Sequence, residues 1–174
     1  MIKKSFSFIP HYTFYDLTGV TPVFLTGLGI RFLMLDLDNT IAAYDEHTLP
    51  ERAANWAADI KNSGIELFIV SNSTRTKRVE TFARQLGAGF VLRSKKPSPN
   101  GIFRAMEESG FSAAESAFAG DQIFTDTLAA RRAGVISILV RPVRFTNPFL
   151  ALRYYIEQPV RVLCKNKVKE QART

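Results

Sequence analysis

Phe32-Leu33-Met34-Leu35-Asp36-Leu37-Asp38-Asn39-Thr40 begins as an unbroken apolar run and ends in two carboxylates, an amide and a hydroxyl. The run has the pattern of a strand buried on both faces in a parallel sheet. In open α/β sheets, ligands collect beyond the carboxyl ends of the strands, so acids that follow four apolar residues stand where a substrate would lie. Along an extended segment alternate side chains share a side, which sends Asp36 and Asp38 together and Leu37 away. Like charges held that close need a cation or a shared proton, and a divalent metal is the natural partner. Taken alone, Asp-x-Asp also reads as an acidic turn that ends a strand.

The chain on the C-terminal side repeats the arrangement. Pro50 and Glu51 open a helix whose apolar positions Ala53, Ala54, Trp56, Ala57 and Ile60 form one face, and Gly64 ends it. Ile65 to Val70 is a second strand, with Ser71-Asn72-Ser73 at its end. A helix over 76–86 leads to a short strand at Phe90-Val91-Leu92, followed by Arg93-Ser94-Lys95-Lys96-Pro97, where Pro97 stops the strand. A helix over 100–109 precedes a strand over 116–119, then Gly120-Asp121-Gln122-Ile123-Phe124-Thr125-Asp126 opens a helix running to Ala133. Gly134 caps it, and Val135 to Val140 is the last strand. Strands alternating with helices of this length predict an α/β fold with a doubly wound parallel sheet. Polar clusters at 36–40, 71–73, 95–96 and 120–126 each begin at the carboxyl end of a successive strand. Folding therefore brings them to one rim.

At 174 residues and 46% hydrophobic, the chain has material for one ordinary core and too little for two. Its single cysteine, Cys164, excludes an internal disulfide and a cysteine-rich zinc site, and fits a reducing compartment. Lys3 and Lys4 precede a mixed aromatic and polar stretch with no apolar core of a signal peptide. The most apolar stretch, Val23 to Leu35, contains Thr26 and Arg31 and is shorter than the roughly 20 residues a bilayer needs. A cytoplasmic protein is expected. The net charge of +7 is uneven: residues 31–140 carry 13 basic and 13 acidic side chains, whereas 141–174 carry 8 basic and 2 acidic ones. The middle is neutral and the tail is basic, which predicts an anionic partner for the tail.

Three regions follow: an aromatic N-terminal arm over 1–30, with Phe6, Phe8, Tyr12, Phe14, Tyr15 and Phe24; a catalytic domain over 31–140; and a basic extension over 141–174. Gly27-Leu28-Gly29 precedes a strand, whereas phosphate-binding glycines follow one, so it is set aside. His11 and His47 have no partner at ligand spacing and read as packing or surface residues.

At the predicted rim the inventory is two acids, a hydroxyl, a lysine and two more acids, which suits phosphoryl transfer. Carboxylate oxygens match Mg²⁺, which keeps waters and takes one or two carboxylates together with a phosphate. The metal, a lysine and a hydroxyl would neutralise the equatorial oxygens of a phosphoryl group in flight.

Asp36-Leu37-Asp38-Asn39-Thr40, Ser71-Asn72, Lys96-Pro97 and Gly120-Asp121 through Asp126 resemble, in order, the four motifs of the haloacid dehalogenase (HAD) superfamily. The stretch from Gly120 to Asp126 resembles the YqeG-type branch of subclass IIIA, which is similar to mitochondrial phosphatidylglycerophosphate phosphatases. The resemblance implies a HAD-like Rossmannoid core. It also implies that Asp36 is a nucleophile forming an aspartyl-phosphate and Asp38 the general acid and then base. Mg²⁺ would be held by the Asp36 carboxylate, the Asp38 carbonyl and Asp121, with Asp126 in support. Ser71, Asn72 and Thr40 would contact the substrate. Lys96 would pair with the phosphoryl oxygens, and Lys95 competes for that part on residue type alone.

HAD enzymes usually enclose small substrates under a cap inserted after the first motif or between the second and third. Here one helix and one strand consume each interval, so a capless site is expected, suited to a phosphate presented on something large. In the tail, Asn147 reads as an N-cap, Pro148 as the first helical residue, and Phe149, Leu152 and Ile156 recur at helical spacing near Tyr154 and Tyr155. Pro159 is expected to interrupt this helix. With Arg153, Arg161, Lys165, Lys167 and Lys169 it has the makings of an interfacial anchor for anionic lipid, and equally of a helix packed on the domain. The expected activity is a Mg²⁺-dependent phosphomonoesterase that converts phosphatidylglycerophosphate to phosphatidylglycerol, peripheral at the inner membrane face. A phosphatase for a nucleic-acid end, a phosphoprotein or a soluble phosphoester is the alternative, though the aromatics lie at the termini rather than beside the site. A phospho-aspartate signalling module without turnover is the other, and Asp38 argues against it.

Overall fold

The computed structural model describes residues 7–144 and 148–171. Phe6 and Asn147 lie outside them, as do the side chains of Phe149, Arg153, Lys165, Lys167 and Lys169. The strands are β1 (Tyr12–Thr13), β2 (Phe32–Leu35), β3 (Glu66–Val70), β4 (Gly89–Val91), β5 (Ser116–Gly120) and β6 (Ile136–Leu139). The helices are α1 (Pro22–Gly27), α2 (Glu51–Asn62), α3 (Thr76–Leu86), α4 (Asn100–Ser109), α5 (Leu128–Ala133) and α6 (Pro148–Gln171).

All six strands join one parallel sheet in the order β1-β6-β5-β2-β3-β4. β2 lies inside the sheet, and the alternation of its side chains divides the core in two. Leu33 and Leu35, with Leu67 and Ile69 of β3, pack on Trp56 and Ile60 of α2 and Val79 and Phe82 of α3. Phe32 and Met34, with Phe68 and Val70, face Ile102 and Ala105 of α4 and Ala129, Ala130 and Ala133 of α5 on the other side. Helices on both faces explain why β2 is apolar without interruption. Among the described residues, only α2 and β3 lie between Thr40 and Ser71, and only α3 and β4 between Ser73 and Lys95, so the fold has no cap.

Two features depart from the expectation. The N-terminal arm packs on the domain and also supplies an edge strand, Tyr12 pairing with Ile138 and Thr13 with Leu139. A two-residue strand has too few side chains to show a period, so it left no readable pattern. Behind it, Thr21 caps α1 by accepting from the Phe24 N–H (3.2 Å), and the Phe24 ring meets Tyr12 and Phe14 edge to face. Pro159, moreover, does not interrupt α6; the helix continues through it. Proline removes one backbone donor, but Glu157 and Arg161 on either side are both anchored on the domain, at the Ile123 N–H and the Asp121 carbonyl. No helix among the described residues is long and apolar enough to cross a membrane.

Candidate active site

The carboxyl ends of β2, β3 and β5 open on a cavity of about 350 Å³, whose lining includes Asp36, Asp38, Ser71, Asn72, Lys96 and Asp126. Asp36 follows β2 directly, and its N–H donates to the Ala119 carbonyl of β5 (2.9 Å), which continues the sheet ladder to this first carboxylate. Lys96 Nζ lies 2.6 Å from Asp36 Oδ1 and 2.9 Å from Asp126 Oδ1, and above the Phe118 ring. Lys96 is buried and Lys95 is exposed, which decides between the two lysines.

Asp36, Asp121 and Asp126 each offer a carboxylate oxygen, and the three oxygens lie within 4.8 Å of one another in a buried volume. Three carboxylates against one ammonium leave an excess of negative charge that a divalent cation would balance. Burial pushes the Asp36 carboxyl up to about 7, with Lys96 pulling it back and Asp126 adding to the rise. Burial works against the Lys96 ammonium, yet Asp126 and Asp36 hold its pKa above the ordinary lysine range. The donor set therefore fits Mg²⁺.

Local backbone geometry explains how Asp126 reaches the group. A Cβ on Gly120 would stand 2.4 Å from Asp126 Oδ2 and 2.5 Å from its Cγ, so only glycine lets that carboxylate lie over the end of β5. The Gln122 N–H donates to the same Oδ2 (3.1 Å).

A family model for the haloacid dehalogenase-like hydrolases matches residues 12–134. The chain belongs to that family. It is 31% identical over 150 residues to the probable phosphatase YqeG of Bacillus subtilis (strain 168), covering 86% of each chain. It is 26% identical over 159 residues to the chloroplastic/mitochondrial phosphatidylglycerophosphate phosphatase 1 of Arabidopsis thaliana, covering 86% of this chain and 46% of that one. An uncharacterized protein from Listeria monocytogenes serotype 4b shares the fold, with a TM-score of 0.56 and 16% identity over 68% of this chain and 84% of that one. This HAD hydrolase is accordingly a phosphatase.

Of the three residues read from the sequence as substrate contacts in this HAD site, Ser71 and Asn72 line the cavity and Thr40 lies outside it. Thr40 does not line the cavity; it borders a neighbouring one of about 280 Å³ with Tyr15, Arg52, Arg141 and Tyr154. The turn that ends the strand at Leu35 puts Asn39 at φ 63°, and this swings Thr40 away from the rim. Asn72 does line the cavity, but its side chain holds a loop. Its Oδ1 accepts from the Lys96 N–H (2.8 Å) and Ser94 Oγ (2.7 Å), and its Nδ2 donates to the Lys96 carbonyl (3.1 Å). That loop has Arg93 and Lys95 at positive φ, a conformation that needs holding. Asn72 thus positions Lys96. Ser71 is buried on the cavity wall, where its Oγ accepts from the Ser73 N–H (3.0 Å).

Sequence reasoning missed two cations. Arg78 of α3 is buried, and its Nη1 donates to Asp38 Oδ1 at 2.5 Å while Nη2 and Nε donate to the carbonyls of Ala43 (2.8 Å) and Glu46 (3.1 Å). This fork fixes the direction of the Asp38 carboxylate, which is not one of the three grouped carboxylates. A basic residue beside Val79 and four before Phe82, on the buried face of α3, was the readable signal. Arg75 lines the cavity mouth, stacks on Tyr44 and has no carboxylate within ion-pair distance among the described residues. His11 is a packing residue: the Ser137 N–H donates to its Nδ1 (3.0 Å) between β1 and β6.

Proposed function

We propose that this phosphatase hydrolyses phosphatidylglycerophosphate to phosphatidylglycerol at a membrane surface, with Mg²⁺ bound and Asp36 as nucleophile. The observation that carries the chemistry is the meeting of Asp36, Lys96, Asp121 and Asp126 beside Asp38 at one sheet rim. An Asp36 oxygen attacks phosphorus and the ester P–O bond breaks, its electron pair leaving with the alcohol oxygen. Asp38 supplies the proton that oxygen needs, and later takes one from the water that attacks the aspartyl-phosphate and releases inorganic phosphate. Lys96 and the Ser71 hydroxyl bind phosphoryl oxygens, and Arg78 keeps Asp38 aimed. Asp36, Asp121 and the Asp38 carbonyl, with Asp126 behind, would hold the cation, which neutralises charge on the phosphoryl group.

Three observations support a lipid substrate. The site has no cap, so a head group presented at a surface has access. Leu152, Tyr155, Ile156, Val162 and Leu163 of α6 are exposed on a helix that belongs to a basic segment. Arg75, with no acid partner, stands where it would take a phosphodiester next to the phosphate being cleaved. Chain similarity to the Arabidopsis phosphatidylglycerophosphate phosphatase agrees with this reading. Phosphate release is to be measured from phosphatidylglycerophosphate in mixed micelles, from soluble phosphomonoesters and from 5′-phosphorylated DNA, with Mg²⁺ or EDTA. Mg²⁺-dependent release from the lipid, absent in Asp36→Asn, is expected. Preference for the soluble esters or DNA would overturn the lipid assignment and leave the phosphatase.

A further inference from the structure

Among the described side chains of α6 the usual polarity is reversed. The buried ones are Glu157 (1% exposed) and Arg161 (8%), while Leu152, Tyr155, Ile156, Val162 and Leu163 are all more than half exposed. A helix held for stability alone would bury its apolar side chains, because removing an ion pair from water costs more than its attraction commonly returns. What the pair touches accounts for its burial. Glu157 Oε1 accepts from the backbone N–H of Ile123 (2.9 Å) and of Phe124 (3.3 Å). Its Oε2 pairs with Arg161 Nη2 (2.9 Å), and the same Nη2 donates to the Asp121 carbonyl.

Those three backbone groups lie at the start of the irregular turn Ile123–Thr127, between the two carboxylates that β5 delivers to the rim. The wide turn leaves its first amides without partners inside the helix, and Glu157 satisfies two of them from 34 and 33 residues away. The backbone on the C-terminal side of Asp121 is thus gripped from outside the sheet by two charged side chains of a separate helix. We propose that Glu157 and Arg161 are positioning residues for the cation site: they fix the 121–124 backbone so that Asp121 and Asp126 keep their spacing to Asp36. The proposal rests on reading those three carboxylates as the cation site. It makes α6 a working part of the phosphatase, since whatever moves this helix moves the metal loop.

The test is Mn²⁺ binding to the full chain by calorimetry, together with amide hydrogen exchange at Ile123 and Phe124 without metal. The variants are Glu157→Gln, Arg161→Met and the pair combined, which removes both charges and leaves none buried alone. Leu152→Ser, on the outer face, is the control. Residues that orient metal ligands typically change affinity by about ten- to hundred-fold when replaced, and a weakening of that size is expected in all three variants, less than additive in the pair. Exchange at the two amides should speed up by roughly ten-fold while the thermal transition stays cooperative. Unchanged Mn²⁺ affinity in the variants, or an equal loss in Leu152→Ser, would overturn the proposal alone. Failure of the wild type to bind Mn²⁺, with no difference from Asp121→Asn, would overturn the cation-site reading and the proposal with it.

Discussion

In β2 the four residues Phe32, Leu33, Met34 and Leu35 are fully buried, and the acids that follow gather at the rim. Among the described side chains of α6 the buried groups are an acid and its arginine, and Leu152, Ile156 and Leu163 face outward. The sheet follows the usual economy, in which apolar area removed from water drives folding and polar groups are kept for chemistry. The helix departs from it and spends a buried ion pair on three backbone groups of one loop. Stability explains the first arrangement; only a positional demand at that loop explains the second.

The contrast sharpens most at the residues that react. Asp36→Asn should lower phosphate release by about 10⁴-fold or more while the fold persists, measured by steady-state turnover beside circular dichroism. A surviving rate within ten-fold of wild type would remove the rim from the chemistry.

Next comes the buried pair inside the catalytic domain. Arg78→Met leaves Asp38 buried without its partner, a loss of about 3–5 kcal/mol in denaturant unfolding, with turnover reduced as well. The combined Arg78→Met/Asp38→Asn variant should recover most of the stability and none of the activity. Recovery of activity would contradict the assignment of Asp38 as acid and base, and with it the role of Arg78 in aiming it.

Gly120→Ala tests the close approach at the end of β5. Its Cβ would meet Asp126 at 2.4 Å, so metal affinity should fall by about ten-fold or more, read by Mn²⁺ titration. At the mouth, Arg75→Ala should raise KM by about ten-fold for a phosphomonoester carrying a second anionic group and leave a plain aryl phosphate unaffected. An equal rise for both would cancel the assignment of Arg75 to a second phosphate.

The smallest effect is expected at the sheet edge, far from either region. Burial, with Arg131 adding to it, lowers the His11 pKa to about 4. Between that value and the ordinary 6.5 the unfolded chain binds the extra proton, so stability is complete above pH 6.5 and drains away as pH falls toward 4. Discounted for solvent screening, the loss is about 1 kcal/mol, and His11→Gln should flatten that limb of a plot of melting temperature against pH.

Most of the rim was legible because it is written locally. Asp36, Asp38, Ser71, Lys96 and Asp121 each sit at or just past the end of an apolar run or beside a proline or glycine, and the strand period places them, with Asp126 in the turn that follows Asp121. The place of Thr40 outside the cavity and the second part of Asn72 as a loop-holding amide were not legible, because a turn at positive φ and a side-chain-to-backbone clamp leave no periodic trace. Arg78, whose place on the apolar face of α3 was its one readable signal, and Glu157 and Arg161, which had none, were missed as site residues for a different reason. Each is one charge among many on a helix, and its meaning lies in contacts 33 to 40 positions away in the chain. In α6 the apolar spacing was read correctly, while the side of the helix that packs was not recoverable from it.

The central claim, that the rim beyond β2 transfers a phosphoryl group through Asp36, is tested most directly by trapping the intermediate. The Asp38→Asn variant is mixed with a ³²P-labelled phosphomonoester and Mg²⁺, quenched in acid and mapped by mass spectrometry. Label on Asp36, lost in the Asp36→Asn/Asp38→Asn double variant, is the predicted result. Label on another residue, Ser71 included, or turnover with no labelled protein at any time point, would contradict the account.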